Sequence, residues 1–218
     1  MIDWGVELAT VGAVAVFGEL RRLVESQEEV ATSRLVASLP RQAVLEDMLE
    51  ATKPPRRDAK IDLHYLLATP FRYPPLKHGS RFGTRNEPSL FYGSREIRTV
   101  LAEAAYYRFV FWYGMAVPPA AKLDTQHTLF TAEYRAQQGA RLQEPPFDAY
   151  REQLTAPADY RASQALGAAL RAAGIEALEF VSARDPQQGI NVALFTPRAF
   201  AKKIPTTQEA WLCELTGE

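Results

Sequence analysis

Two β-rich runs lie close together near the C-terminal end of the chain, Ala177–Ser182 and Ile190–Phe195. The stretch 184–189 between them is polar and holds a proline and a glycine, which are residues that favour turns. Two such runs joined in this way predict an antiparallel hairpin with an extended loop. Any fold for this chain has to accommodate that antiparallel pair.

Short strand patterns and helix patterns alternate irregularly along the rest of the chain. Periodicity and turn residues predict further strands at 71–73, 89–92, 127–134 and 210–215. They predict helices at 3–25, 27–51, 95–113 and 159–173, with 144–157 mostly loop. Ser94 is the expected cap of the helix at 95–113. This irregular order favours an α+β fold over a regular βαβ winding.

A proline-containing stretch, 53–58, separates the first two predicted helices from the remainder. Consecutive prolines end helices and are typical of linkers. The sequence therefore predicts an N-terminal helical extension over 1–58 and a main domain over 59–218.

Composition excludes several classes of protein. The 218 residues carry a net charge of −1, with 47% hydrophobic and 23% charged residues, which is ordinary for a globular protein and argues against a nucleic-acid coat or a polybasic membrane-surface protein. One cysteine, Cys213, allows no disulfide and no cysteine-based zinc site, and the three histidines show no metal spacing. The apolar run 5–17 is too short for a membrane span and lacks the basic start of a signal peptide. We therefore expect a cytoplasmic protein with no metal, no direct nucleic-acid contact and no membrane contact.

Glu103 is the most informative polar residue of the predicted helix at 95–113. Alanines flank it on both sides, so its carboxylate is expected to be partly buried, and buried carboxylates are uncommon without a partner or a role. An ion pair with Arg98 or Arg108 is the structural alternative, and the pattern by itself favours it somewhat.

Three further residues are candidates for binding an anionic nucleotide. Arg81 lies in a glycine-punctuated segment, where backbone can approach a ligand and a guanidinium can grip a phosphate. Tyr92 ends a predicted strand and could stack on an aromatic ring of a ligand. Ser182 could orient Glu103 or hold a carboxamide. Taken singly, each also fits an ordinary structural role, as a surface arginine, a core tyrosine or a turn serine.

The order of these blocks resembles the RES domain family, which is named for its arginine, glutamate and serine. The blocks are Phe71-Arg72-Tyr73, Gly79-Ser80-Arg81-Phe82-Gly83, Leu90-Phe91-Tyr92-Gly93-Ser94, Glu103 and the run from Val181-Ser182 to Gly189-Ile190-Asn191-Val192-Ala193-Leu194-Phe195. The resemblance covers about residue 61 to the C-terminus. It implies a fold similar to that of ADP-ribosyltransferases, with mixed or antiparallel sheets and flanking helices.

The resemblance also implies the site. It places the family's arginine at Arg81, its tyrosine at Tyr92, its glutamate at Glu103 and its serine at Ser182. Some members have a histidine one helical turn after the glutamate, where this chain has Tyr107. That departure weakens the case for activating water or phosphate and mildly favours a protein acceptor.

The implied substrate is NAD, whose nicotinamide–ribose bond breaks with positive charge on the ribose. Glu103 would stabilise that charge, while Arg81, with Arg72, would hold the diphosphate. Asn191 and Tyr92 are the other expected NAD contacts. The family's members are toxins of Xre–RES toxin–antitoxin pairs, so the resemblance implies an Xre-type antitoxin as partner.

Two alternatives remain open at this stage. The same pocket could serve only to hydrolyse or phosphorolyse NAD, with water or phosphate as acceptor in place of a protein. The chain could also be a binding module without catalysis, in which Glu103 forms a structural ion pair.

Overall fold

Helices alternate irregularly with the strands of one sheet in the computed structural model, which describes residues 2–26, 38–54, 62–119 and 122–217. The helices are α1 (Trp4–Val11), α2 (Leu39–Thr52), α3 (Tyr65–Arg72), α4 (Ile97–Tyr113), α5 (Arg151–Leu154) and α6 (Arg161–Ala172). The strands are β1 (Val14–Glu25), β2 (Phe91–Ser94), β3 (Leu123–Arg141), β4 (Ala177–Val181), β5 (Ile190–Leu194) and β6 (Thr207–Leu215). Short 3₁₀ turns cover Phe147–Tyr150 and Pro197–Ala199.

The described strands form one six-stranded sheet in the order β1-β2-β5-β4-β3-β6. Strand β1 also pairs with β3, so all strands except β6 form a closed ring. Only β3 and β4 run parallel, and the other pairs are antiparallel. A mixed sheet with flanking helices confirms the predicted α+β class.

Strand register places several candidate residues side by side. Ser94 of β2 lies opposite Asn191 of β5, which lies opposite Phe180 of β4. Residues directly opposite each other share one face of a sheet, and residues two apart in a strand do too. Tyr92 therefore faces the same side as Ser94, and Ser182, two residues beyond Phe180, continues that side.

Two clusters of buried apolar side chains lie on the two sides of the central strands. One gathers Leu20, Phe91 and Tyr134 with helix α3. The other gathers Phe82 and Phe180 with helix α6. Tyr92, Ser94 and Asn191 lie on the side of the second cluster.

The N-terminal segment corrects the prediction of a helix over 3–25. Helix α1 begins after Asp3, whose side chain accepts hydrogen bonds from two backbone N–H groups, and it ends at Gly12, which has a φ of 69°. Left-handed backbone of this kind stops a helix, and glycine adopts it without strain. Residues 14–25 then form β1, where Val16 and Leu20 are fully buried. The run is apolar enough for either structure, and pairing with β3 decides between them.

Helix α1 also packs on the body of the fold. The Trp4 ring meets the Tyr150 ring edge-on at 5.1 Å between centroids, and the Tyr150 hydroxyl donates to Glu7 Oε1 at 2.6 Å. The expected division of the chain at residue 58 stays a prediction, but its helical description is wrong for 14–25. The second predicted helix, 27–51, corresponds in part to α2 at 39–52. Its first residues, 27–37, lie outside the described part of the chain, and so do residues 55–58 of the predicted linker.

Two local predictions near the site were wrong. The expected strand at 71–73 is instead the end of helix α3 and the residue that follows it. Ser94 does not cap α4, because the N-cap position is Glu96 and no side chain caps it. The Ser94 hydroxyl donates to Asn191 instead.

The other predicted helices and strands are confirmed, with shifted ends. The prediction that 144–157 is mostly loop is wrong, because residues 147–154 form a 3₁₀ turn followed by helix α5. Helix α4 begins at residue 97, helix α6 covers 161–172, and β3 extends well beyond the predicted 127–134. Gly174 follows α6 with a φ of 76°, as a terminating glycine should. Strands β4 and β5 form the expected hairpin. None of the described helices has the length and apolar character needed to cross a membrane.

Candidate active site

Glu103 is held by two side chains from the β4–β5 hairpin. Its Oε1 accepts a hydrogen bond from Ser182 Oγ at 2.6 Å and another from Asn191 Nδ2 at 2.7 Å. Ser182 and Asn191 are 4% and 6% exposed, and Glu103 is half-buried. Both bonds reach the same oxygen, so Oε2 has no hydrogen bond to any residue that the structure describes.

The donors themselves are fixed by further hydrogen bonds. Ser182 Oγ accepts from the N–H groups of Arg184 and Asp185, each at 3.1 Å, so its own hydrogen points to Glu103. Asn191 Oδ1 accepts from Ser94 Oγ at 2.6 Å, which leaves its amide nitrogen for Glu103. A carboxylate oriented in this way keeps one oxygen available for a ligand.

Glu103 does not form the ion pair with Arg98 or Arg108 that the sequence pattern favoured. Arg98 pairs with Glu96 and with Asp185, at 3.0 and 3.3 Å. Arg108 pairs with Glu25 at 3.0 Å. Neither arginine therefore neutralises Glu103.

Tyr92 is tied to the glycine-punctuated loop by its hydroxyl. That oxygen lies 2.8 Å from Ser80 Oγ and accepts from the Phe82 N–H at 3.1 Å. Burial raises the pKa of Tyr92, while the Ser80 hydrogen bond acts in the opposite direction. Its ring meets Phe180 edge-on at 6.4 Å.

Arg81 is partly engaged by the protein. Its Nη1 donates to the carbonyls of Leu154 and Ala156, at 2.9 and 3.1 Å, and its guanidinium lies 4.7 Å from the centre of the Tyr160 ring. Nε and Nη2 of Arg81 have no hydrogen bond to the described residues. Two donors of a guanidinium are enough to bind a phosphate bidentately.

Two tyrosines lie near Arg81 and Glu103. The Tyr160 ring packs under Arg81, and Tyr107, one helical turn after Glu103, is close enough to Tyr160 and Glu103 for both to affect its pKa. Burial raises the pKa of Tyr107, and Tyr160 and the charge of Glu103 raise it further. The predicted arginine and glutamate therefore border one region on the same side of the sheet.

Comparisons with known proteins identify the family of this chain. The family model of the RES domain matches residues 54–215. The chain belongs to the RES domain family. No curated protein sequence matches it.

A solved structure has a similar fold. A chain of the crystal structure of the M. tuberculosis MbcT–MbcA toxin–antitoxin complex superposes with a TM-score of 0.52 at 11% sequence identity. The match covers 98% of this chain and 92% of that one. The likeness in fold therefore includes α1 and β1, which precede the residues matched as a RES domain.

Arg72, the remaining predicted nucleotide contact, does not lie with Arg81, Tyr92 and Asn191. It ends helix α3, which packs on the first apolar cluster, and its Nε donates to the Pro54 carbonyl at 2.5 Å. Its contact with NAD stays a prediction, as do the NAD contacts of Arg81, Tyr92 and Asn191.

Sequence reasoning missed two groups beside the site of this RES domain. Arg184 stacks on Tyr106 at 3.5 Å from the ring centre and donates to the Pro157 carbonyl at 2.6 Å. Arg184 follows Ser182 by only two residues, and this closeness in sequence could have indicated that it lies beside the site. Ser94 was assigned to helix capping, and only strand register reveals its bond to Asn191.

A second bridge between α4 and the hairpin loop was also missed. Asp185 is 4% exposed, and its Oδ2 accepts from Thr99 Oγ1 at 2.8 Å, one helical turn before Glu103. Gln187 N–H donates to Oδ1 at 2.9 Å, and Gly189 packs so tightly that an added Cβ would lie 1.9 Å from Thr99 Oγ1. Burial by itself raises the pKa of Asp185, but the hydrogen bonds and Arg98 outweigh it and lower the pKa.

Replacing Thr99 by valine should destabilise the RES domain by about 1–3 kcal/mol at pH 7, because the buried Asp185 carboxylate loses a donor. The pKa of Asp185 is lowered on folding, so its stabilising contribution is present above the unfolded pKa and is lost as pH falls through the folded pKa. The difference between wild type and Thr99→Val should shrink below about pH 4. Urea unfolding at pH 7 and at a pH below about 4 measures this difference in stability. Thr99→Ser, which keeps the hydroxyl, is the control. An equal difference at both pH values would contradict the proposed cause.

Replacing Tyr92 by phenylalanine should cost about 1–2 kcal/mol of unfolding free energy, because the Phe82 N–H and Ser80 lose their shared partner. The ring, and with it any stacking on a ligand, is retained. Thermal unfolding measures the loss, and Tyr73→Phe, at an exposed tyrosine, is the matched control. Equal stability of both variants would show that the Tyr92 hydroxyl does not hold the loop.

Proposed function

We propose that this protein is an NAD-cleaving toxin that transfers ADP-ribose to a protein acceptor. The observation that carries the proposal is the carboxylate of Glu103, whose Oε1 is saturated by Ser182 and Asn191 and whose Oε2 faces no described partner. A negative group oriented before the reaction, in a partly dry site, stabilises positive charge as it develops.

The chemistry balances without a further reagent. The bond between C1″ of the nicotinamide-bound ribose and the nicotinamide nitrogen breaks, and nicotinamide leaves as a neutral base with the electron pair. The ribose takes on oxocarbenium character, which the charge of Glu103 would stabilise. A nucleophile on the acceptor then bonds to C1″ and loses its proton to solvent or to Glu103.

Arg81 supplies the positive charge for the diphosphate. Its two uncommitted donors, Nε and Nη2, suit a phosphate, and the carbonyls that bind Nη1 hold the guanidinium in place. Tyr92, fixed by its hydroxyl, would offer its ring to the nicotinamide or the ribose.

The identity of residue 107 mildly favours transfer over hydrolysis. A tyrosine hydroxyl is protonated at neutral pH even at its ordinary pKa, and burial, Tyr160 and Glu103 raise the pKa of Tyr107 further, so this side chain does not act as a base toward water. Capture by an acceptor side chain that brings its own nucleophile does not need such a base.

Membership of the RES domain family supports the proposal. The chain with a similar fold comes from a toxin–antitoxin complex, which supports a cognate antitoxin, and we propose one of the Xre type. The net charge of −1 is consistent with leaving DNA contact to that partner.

The test is the fate of NAD labelled on its adenylate phosphate, incubated with the purified protein and a cell lysate. Label on a protein band, with release of one nicotinamide per adduct, supports transfer. Label in free ADP-ribose shows hydrolysis, and label in its 1″-phosphate shows phosphorolysis. Intact NAD under all conditions would overturn the enzyme assignment and favour a binding module.

A further inference from the structure

Arg184 is fixed beside the candidate active site by three contacts. Its backbone N–H donates at 3.1 Å to Ser182 Oγ, the same oxygen whose hydrogen goes to Glu103. Its guanidinium stacks on the Tyr106 ring at 3.5 Å from the ring centre, and its Nη2 donates to the Pro157 carbonyl at 2.6 Å. A planar guanidinium held by a ring and a carbonyl keeps one orientation. The side chain therefore has a fixed position relative to the Glu103 carboxylate.

No carboxylate in the described part of the chain neutralises Arg184. Asp185, its neighbour in sequence, pairs with Arg98 and accepts from Thr99, and Glu103 has its hydrogen bonds from the hairpin. Nε and Nη1 of Arg184 have no hydrogen bond to a described residue. An arginine with a fixed orientation, open donors and no counter-ion is suited to bind an anion.

Arg81 and Arg184 both bind the short stretch of backbone 154–157. Arg81 Nη1 donates to the carbonyls of Leu154 and Ala156, and Arg184 donates to the carbonyl of Pro157, the next residue. Cα atoms of consecutive residues are about 3.8 Å apart, so the two guanidiniums approach neighbouring peptide groups. Each of them keeps donors that no described residue uses.

Two tyrosines place both arginines around the same region as Glu103. The Tyr160 ring packs under Arg81 at 4.7 Å. Burial raises the pKa of Tyr107 most, Tyr160 and Glu103 raise it further, and the positive charge of Arg184 lowers it. Tyr107 is therefore close to Tyr160, to Glu103 and to Arg184 at once. The region that these groups surround has one carboxylate and two guanidiniums.

We infer that Arg184 is a second phosphate-binding residue of this site, so that Arg81 and Arg184 each hold one phosphate of a dinucleotide. The inference rests on the proposed function and specifies how its substrate is gripped. A diphosphate carries two negative charges, which two guanidiniums match. Its two phosphates share one oxygen, and the two arginines share one stretch of backbone.

This role concerns binding and orientation rather than the bond that breaks. The diphosphate is unchanged between NAD and ADP-ribose, so its contacts are the same before and after cleavage. Loss of Arg184 should therefore weaken the binding of NAD itself. That effect can be measured without any turnover.

Equilibrium binding of NAD to the full chain tests the inference. The parent for this experiment is the Glu103→Gln protein, in which NAD stays intact during the titration. In that parent, Arg184→Gln should raise the Kd for NAD about ten- to a hundredfold, as expected for the loss of a charged hydrogen-bonding partner. Arg198→Gln is the matched control, because it removes the same charge from an exposed position beside the first apolar cluster. Its Kd should stay within about twofold of the parent value, since distant surface charges are screened.

The dependence on salt separates a phosphate contact from a purely structural role. Raising the ionic strength from about 0.05 to about 0.5 M weakens the attraction between charges, so the Kd of the parent should rise more steeply than that of Arg184→Gln. Arg184→Lys keeps the charge and a donor for the Pro157 carbonyl, but it cannot form two parallel hydrogen bonds to a phosphate. It should bind NAD a few-fold more weakly than the parent and keep the parent's salt dependence.

Failure of the inference and failure of the proposed function give different results. If the parent binds NAD and Arg184→Gln binds it equally well, Arg184 is not a phosphate ligand and the proposed function stands. Weaker binding with the parent's salt dependence would assign Arg184 to holding residues 154–157 and would also overturn the inference. Should Arg184→Gln not fold, an Arg184→Lys protein with the parent's affinity would overturn it. No binding of NAD by the parent at any salt concentration would overturn the inference and the proposed function together.

Discussion

Replacing Glu103 by glutamine should reduce the rate of NAD cleavage by about 10²–10³-fold, since losing a preorganised charge at the reacting centre costs on the order of 3–4 kcal/mol. The amide of glutamine can still accept the hydrogen bonds of Ser182 and Asn191 on its oxygen. The fold should therefore survive, and the loss should appear in kcat rather than in the KM for NAD.

Nicotinamide release from purified protein measures this effect. The matched control is Glu96→Gln, which neutralises an exposed glutamate at the N-cap of α4, seven residues before Glu103, and it should retain near wild-type rates. Unimpaired cleavage by Glu103→Gln would refute the role assigned to this carboxylate. Equal loss in both variants would point to a structural effect of the helix.

Replacing Gly167 by alanine should destabilise the protein by about 3 kcal/mol or more, although alanine is the better helix former by about 1 kcal/mol. A Cβ at this position would lie 2.1 Å from the Phe82 carbonyl oxygen and 2.9 Å from its Cα. These are backbone atoms of the loop that holds Arg81, and they cannot swing away as a flexible side chain can. Helix α6 and the loop would have to separate.

Urea unfolding measures the loss, with Ala165→Gly as control in the same helix. Ala165 is exposed, so that change should cost only about 1 kcal/mol from helix propensity. Because the loop carries Arg81, the Gly167→Ala protein should also show a raised KM for NAD at temperatures where it is folded. A more stable Gly167→Ala protein would contradict the close packing of α6 on the loop.

Local patterns predicted much of the secondary structure. The hairpin of β4 and β5, helix α6 with its terminating glycine, and most of helix α4 follow from apolar spacing and turn residues, because these signals are local. The segment 14–25 was misread as helix, since an apolar run of that length fits both structures and only its pairing with β3 selects the strand.

The site was predicted in part, and the reasons differ by residue. Glu103 and Ser182 were predicted together, and the structure joins them at 2.6 Å. The expected contact of Asn191 with NAD stays a prediction, and its hydrogen bond to Glu103 was not predicted. Thr99 and Asp185 were not predicted, because a hydroxyl in a helix and an aspartate in a turn are common.

The sequence by itself determined many of the helices and strands, the family blocks and the kinds of side chain available for chemistry. The tertiary structure alone decided which of them meet. Ser182 and Asn191 lie 79 and 88 residues beyond Glu103, and both reach a single oxygen of its carboxylate. Such a convergence depends on strand register and on how α4 packs against the hairpin, and neither is encoded in any local pattern.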